Sequence, residues 1–388
     1  MKKKMLSVLL VLCMIFALAG CGNAEDPGNK PAGNEQEDTG GTQEIIKVGI
    51  GVTPYPMYAV LSVAHETGLD KEYGLDLDLQ VVSSTSAGAQ SLVRGDVVIS
   101  GSCISEHLAC VSGSPNLVNF TPLGDFKGFF FVGRKGNLSS WDELVEEKNG
   151  DIEAAKEQRL NDLKGKTFCI IPQRKALILD AIAQVGLTEK DVTFMNFGDD
   201  AKAANALLSG TGDFYIGSLP QQRSLMNQGD FINIGGSDIL GEAGLWFDTW
   251  MTTTDFLENN QETAIKLQAL IFGAVNAFDA DQDKFSEVAA RLFTETSGTE
   301  TPAEEWKTFM TEFDDLVSVD EAKEGFYNPD SDRYWEKTVN YTVKTLIESG
   351  DLPEGTDGKQ YYTAGEELFQ KLLEDQELVE KIQNTVLP

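Results

Sequence analysis

The sequence predicts an α/β fold with largely parallel sheets and a helical C-terminal part. Three observations carry that expectation. Beyond Glu44, short runs rich in β-branched and aromatic residues alternate with amphipathic stretches at helical spacing, the rhythm of strand–helix–strand units. A chain of 388 residues has room for two or three domains. Its 41% apolar and 9% aromatic content, with 37 Gly against 12 Pro, fits neither a fibrous nor a wholly disordered polymer.

The first residues read as an address. Lys2, Lys3 and Lys4 precede an apolar run from Met5 to Ala19, shorter than the roughly 20 residues that span a bilayer core, which is the pattern of a secretory signal. The run ends in Leu18-Ala19-Gly20-Cys21, which resembles the bacterial lipobox. That resemblance implies cleavage after residue 20, with Cys21 as a new N-terminus carrying a diacylglycerol. Residues 22–44 hold no Val, Leu, Ile or aromatic side chain, so they cannot bury enough surface to offset their ordering entropy. The expectation is a signal peptide over 1–20, a flexible tether over 21–45, and a body held outside the membrane.

From Glu44 onward the elements follow in order. Strands are expected at Ile46–Gly51, Leu75–Val82, Val97–Ser100 and Asn116–Thr121. Helices are expected at Met57–Gly68, with Gly68 as a C-cap, at Gly88–Arg94 and at Ile104–Val111. A second series opens with the strand FFFVGR at Phe129 and a helix over Trp141–Glu147 capped by Ser139 and Ser140. Charged helical sequence continues to Leu163. Strands then fall at Thr167–Ile171, Val192–Asn196 and Asp213–Ile216, with helices at Ala176–Val185 and Ala201–Leu208. Gly235–Gly244 reads as a return crossover, Trp246–Thr253 as a strand rejoining the first series, and the remainder as helical. Thr301-Pro302-Ala303-Glu304 suggests a capping box with Pro at the first helical position.

Several stretches carry a family likeness. Ala64-His65-Glu66-Thr67-Gly68-Leu69 with Glu72-Tyr73-Gly74-Leu75-Asp76-Leu77, then Leu92 to Ile99, Leu163-Lys164-Gly165-Lys166-Thr167, Gly186 to Val192 and Ala206 to Gly210 resemble extracytoplasmic solute-binding proteins of ABC importers. The resemblance is to the nitrate, sulfonate, taurine and thiamine-pyrimidine-precursor group, with its type II periplasmic-binding-protein fold. It spans roughly residues 46–256. It implies a first lobe from 46–128 and 240–388, a second from 129–239, and a small solute captured between them for a permease. Val98 and the segment Asp213 to Pro220 depart from the family pattern where pocket sequences are expected.

In such a two-lobed protein the ligand would sit against loops at the carboxyl ends of the parallel strands. Tyr55 and Tyr58 in Thr53–Tyr58 offer aromatic faces and hydroxyls, or cover the first helix. Ser84, Thr85 and Ser86 form a hydroxyl cluster at a helix start, suited to an anion, a polar ring edge or simple capping. Ser102 and Glu106 stand in a loop of small residues. Gln173, Arg174 and Lys175 put cations at a helix N-terminus, which calls for an anion or an acidic partner. Trp246, Asp248 and Trp250 share one face of a strand, able to stack on a flat or cationic ligand or to pack the core.

Other features narrow the function. With 31 Lys+Arg against 62 Asp+Glu the net charge is −31 and the pI near 4.3, and loss of the three lysines with the signal would leave about −34. That field repels phosphate backbones, so nucleic acid is not an expected partner. His65 and His107 lie in helical patterns without acids at ligand spacing. Cys103 and Cys110 stand seven apart, about 10 Å along a helix and too far for a disulfide, so these and Cys169 are expected as free buried thiols. No metal, cofactor or catalytic motif is expected. An enzyme on the same fold, as in fungal relatives that make the pyrimidine from their own histidine and a cofactor, is disfavoured by two histidines in helical contexts. The expected role is a monomeric lipoprotein receptor for a heterocycle such as a thiamine-pyrimidine precursor. The alternatives are an alkanesulfonate, taurine or nitrate receptor, or a surface sensory or adhesion module. Cys21→Ala is expected to release the protein into the medium or periplasm with its fold unchanged; retention in washed membranes would exclude the anchor.

Overall fold

A computed structural model describes residues 45–388 except 241–243, 245, 299 and 332, and leaves the Gln173 side chain undescribed. The expected signal, tether and lipid site at Cys21 lie outside the described residues. The strands are β1 (Ile46–Val52), β2 (Leu75–Val81), β3 (Ile99–Cys103), β4 (Leu117–Phe126), β5 (Val132–Arg134), β6 (Thr167–Ile170), β7 (Thr193–Asn196), β8 (Phe214–Tyr215), β9 (Phe231–Asn233), β10 (Trp246–Thr253) and β11 (Asp314–Leu316). They form two sheets, ordered β11-β4-β10-β3-β1-β2 and β7-β6-β8-β5-β9.

The expectation of largely parallel sheets is corrected to mixed ones. β2, β1 and β3 run parallel, as do β7, β6 and β8, with helices on the crossovers. β10 is antiparallel to both β3 and β4, β11 is antiparallel to β4, and β5 is antiparallel to β8 and β9. The reason is connectivity: β5 and β10 enter their sheets from the other sheet, without a covering crossover helix to reverse the chain. At Gly49 a Cβ would lie 2.7 Å from the Asp96 carbonyl oxygen, so the close approach of the chain entering β3 requires glycine there.

The six-stranded sheet buries one continuous apolar core, in which Ile50, Ile99, Phe120 and Trp250 pack with Leu267, Ile271, Phe272 and Val275 of the helix Gln261–Ala280. β4 is buried along nine of its ten residues, including the polar Asn119, Thr121 and Asp125. The five-stranded sheet has its own cores, one around Phe131, Phe168, Ile178 and Phe214 and another around Phe130, Val132, Ala203 and Leu219. Phe309, from a π-helical turn at Phe309–Phe313, reaches into the latter.

Several boundaries move for identifiable reasons. The helix expected from Gly88 starts at Thr85, because the Ser84 hydroxyl accepts from Ala87 N at 3.2 Å. β3 and β4 run beyond their expected ends as the antiparallel β10 pairs with both. β5 shrinks to three residues because Phe129–Phe131 form the passage between sheets. Trp141–Glu147 forms behind Ser140 with the full capping box, whereas Pro302 is the cap residue of the helix Ala303–Thr308 and makes no side-chain cap, so the expected box is absent.

Two further expectations are corrected. His65 does have acidic partners: its Nδ1 lies 2.8 Å from Asp70 Oδ2, and Asp76 completes a cluster. Protein groups close that cluster, since Asp70 also accepts from Lys71 N and Leu77 N and the Lys71 ammonium binds Asp76. Cys103, Cys110 and Cys169 are free thiols, but Cys110 is only half-buried, 3.9 Å from Ser86 Oγ on the neighbouring helix.

The outgoing passage between sheets is braced by Gln222, which is fully buried. Its Nε2 donates to Gly128 O at 2.6 Å and its Oε1 accepts from Phe130 N at 3.2 Å. Leucine there would leave both backbone groups buried without partners. Gln222→Leu is therefore expected to lower the unfolding free energy by roughly 2–4 kcal/mol, measured by urea titration; a loss under about 1 kcal/mol would show that the brace is dispensable.

Candidate functional site

The parallel strands of both sheets end at one place. β1 runs out into Thr53–Tyr58, β3 into Glu106, β6 into the turn Pro172–Arg174, and β8 into Ser218–Pro220. The chain beyond each strand contributes to one small cavity of about 60 Å³. Space of that size admits several water-sized groups. Its remaining wall is a row across three antiparallel strands: Asp314 on β11 pairs with Phe126 on β4, which pairs with Trp246 on β10.

Arg174 is the cation of this cavity. Its side chain is 5% exposed, and Nε and Nη1 have no hydrogen-bond partner. The guanidinium stands 4.7 Å from the Phe129 ring centroid and 5.0 Å from that of Trp246, which lie 5.1 Å from each other. Burial opposes its charge, but the carboxyl groups of Asp200 and Glu106 outweigh burial and raise its pKa. Asp200 itself accepts a 3.0 Å hydrogen bond from the Tyr215 hydroxyl. Lys175 turns away to Glu189 at 2.6 Å, an ordinary surface ion pair.

Acidic groups face the same space. Glu106 Oε2 accepts from the Thr85 hydroxyl. Asp248 Oδ1 lies 3.1 Å from the Tyr58 hydroxyl, which also reaches the carbonyl of Ser102 and, at 3.4 Å, that of Thr249. Burial pushes the Asp248 carboxyl up to about 8, against the Tyr58 hydrogen bond and with help from the charge of Glu106. Burial, then the charge of Asp248, likewise holds Asp314 well above the usual carboxylate range. Tyr55 keeps 39% of its surface exposed, yet burial of its hydroxyl, with the charge of Glu106, raises its pKa.

Of the residues expected from sequence, Tyr55, Tyr58, Thr85, Ser102, Glu106, Arg174, Trp246 and Asp248 line the cavity. Ser84 does not, being spent as a helix cap, and Ser86 is exposed beside Cys110. Trp250 is corrected: irregular pairing of β10 with β4 on both sides of Thr249–Trp250 breaks the expected common face. It lies fully buried in the core, edge-on to Tyr58 at 5.1 Å, and so supports the wall from behind. The Gln173 side chain lies outside the described residues. Sequence reasoning missed Phe126, Phe129, Ser218, Pro220 and Asp314. Ser218 and Pro220 could have been found as the loop after a parallel strand. Asp314, far downstream among helices, gives no local signal.

Among the described residues no helix is long and apolar enough to cross a membrane. Residues 143–283 match the model of the NMT1/THI5-like family. Over 364 residues the chain is 26% identical to YtlA of Bacillus subtilis (strain 168), a protein provisionally named as a binding protein, covering 88% of this chain and 89% of that one. The structure is similar to a periplasmic sulfonate-binding protein SsuA of Methylobacillus flagellatus, with a TM-score of 0.61 and 17% identity over 87% of this chain and 96% of that one. It is similar as well to the periplasmic nitrate-binding protein NrtA of Synechocystis PCC 6803, with a TM-score of 0.59 and 14% identity over 88% and 92% of the two chains. The chain is therefore built on the periplasmic-binding-protein fold, and its residues 143–283 are similar to the NMT1/THI5-like family.

Proposed function

We propose that this protein is an extracytoplasmic solute receptor of an ABC importer, which captures a small organic solute between its two sheets and hands it to the permease. The observation that carries the reading is Arg174: a buried guanidinium with two unpartnered donor atoms, set among aromatic rings in a cavity fed by both sheets. An unpaired buried donor costs free energy unless a ligand or water completes it. Neither histidine lines the cavity, and the Ser102 hydroxyl is spent on the Cys103 carbonyl at 3.1 Å. That favours binding without chemistry. The N-terminal lipid at Cys21, a monomeric state and partnership with permease subunits belong to the same proposal.

The favoured solute is a flat heterocycle with N–H donors, such as a thiamine-pyrimidine precursor. Trp246, Phe129 and Tyr55 offer ring faces, Arg174 meets an acceptor edge, and Glu106 and Asp248 meet donors. A sulfonate, taurine or nitrate would also use Arg174, but Asp200 and Glu106 already offset that charge. Titration calorimetry with a thiamine-pyrimidine precursor and with taurine distinguishes them. For the heterocycle, Trp246→Ala and Arg174→Ala are each expected to weaken binding at least about tenfold, a loss of ~1.4 kcal/mol. Binding of taurine that depends on Arg174 and not on Trp246 would replace the heterocycle by the oxyanion. Closure over the solute is expected to reduce the radius of gyration in small-angle scattering. A profile unchanged at saturating solute would count against capture by closure.

A further inference from the structure

Three carboxyl groups, Glu106, Asp248 and Asp314, line a cavity that holds one guanidinium. Arg174 is the cationic side chain in the lining of that cavity. It makes no ion pair with Asp248 or Asp314; its guanidinium lies over the rings of Phe129 and Trp246. Asp314 is buried and Asp248 half-buried, and two ionised carboxyls on that wall without an ion pair to either would be costly.

The Tyr58 hydroxyl sharpens this into a statement about one group. It has a single proton and three oxygen neighbours: the carbonyls of Ser102 and Thr249, which can only accept, and Asp248 Oδ1 at 3.1 Å. A Tyr58 proton given to Asp248 favours the carboxylate and lowers its pKa; with that proton given to the Ser102 carbonyl, the contact with Asp248 is attractive only when Asp248 supplies the proton. Tyr58 is itself fixed, fully enclosed and edge-on to Trp250, so it cannot swing away from that contact.

We propose that Asp248 faces the solute as a neutral carboxyl and thereby selects an uncharged hydrogen-bonding group over an ammonium at the same place. This deepens the reading of the cavity as a solute site and rests on it. The groups facing Asp248 are Tyr58 from the first helical turn, Cys103 on β3, Glu106 on the helix after it, Asp125 on β4, Asp314 on β11 and Arg174 from the other sheet. All but Arg174 either carry negative charge when ionised or are held protonated by burial, so the balance around Asp248 favours its proton. The direction of its titration agrees, raised to about 8 by burial. An aspartate in the unfolded chain titrates near about 3.9. Between those values the folded chain binds more protons than the unfolded one, so this group's contribution to stability falls as pH rises and is lost above about 8.

Carbon-13 NMR of the full chain with labelled aspartate, with the Asp248 resonance identified by its loss in Asp248→Asn, reads the charge directly. The expected midpoint is above pH 7; a carboxyl already ionised at pH 6 overturns the proposal. Urea unfolding between pH 5.5 and 8.5 gives a second reading. The wild type should lose stability with rising pH more steeply than Asp248→Asn, whose amide keeps the neutral shape, and equal slopes also overturn it. Calorimetry with 4-aminopyrimidine and its N-methylated cation tests the selection. The neutral probe should bind at least about tenfold tighter at pH 7 to wild type and to Asp248→Asn, and that margin should shrink by pH 9 in wild type alone. A preference for the cation at pH 7 refutes the selection. If neither probe binds, the heterocycle reading fails, while the NMR and unfolding measurements still decide the state of Asp248.

Discussion

The pairing of β4 with β10 is the constraint on which the remainder of the molecule depends. It runs from Trp246 opposite Phe126 to Thr253 opposite Leu117, and at the Phe126 and Trp246 end the chain leaves for the second sheet and returns from it. Both passages are thus anchored to one hydrogen-bonded ladder. That ladder also sets the cavity wall, because a third strand, β11, adds Asp314 beside Phe126 in the same row. A shift of one residue in this register would turn Trp246 and Asp248 to the opposite face and remove both from the cavity.

The irregular pairing within the ladder is as consequential as the ladder itself. By interrupting the alternation near Thr249 and Trp250, it lets Asp248 face the cavity while Trp250 fills the core behind Tyr58. Tyr58 then links three segments by one hydroxyl, through Ser102, Asp248 and Thr249. That wall of the cavity is consequently held by a fully buried side chain.

Charge follows a different logic in the cavity from that on the surface. The chain carries twice as many acids as bases, and its exposed pairs, such as Lys202 with Asp199, are screened and contribute little. Around Arg174 the dielectric is low and each group counts. Asp200 and Glu106 secure the guanidinium, while burial pushes Asp248 and Asp314 toward their neutral forms, at Asp248 against the charge of Arg174. A net charge of −31 therefore says little about what the cavity prefers.

The sequence by itself determined the alternation of strands and helices, because period-2 and period-3.6 apolar patterns and caps such as Ser140 and Gly68 are local. It also determined that Tyr55, Glu106, Arg174 and Trp246 stand at the ends of elements, where loops of an α/β fold meet ligands. Tertiary structure alone decided the direction of β5 and β10, since strand pairing joins segments more than eighty residues apart. It alone placed Asp314 beside Phe126 and sent Trp250 into the core, for a register shift leaves no trace in alternation. The protonation of Asp248 belongs to the same class: a carboxyl's charge depends on which groups surround it, and those come from five separate stretches of the chain.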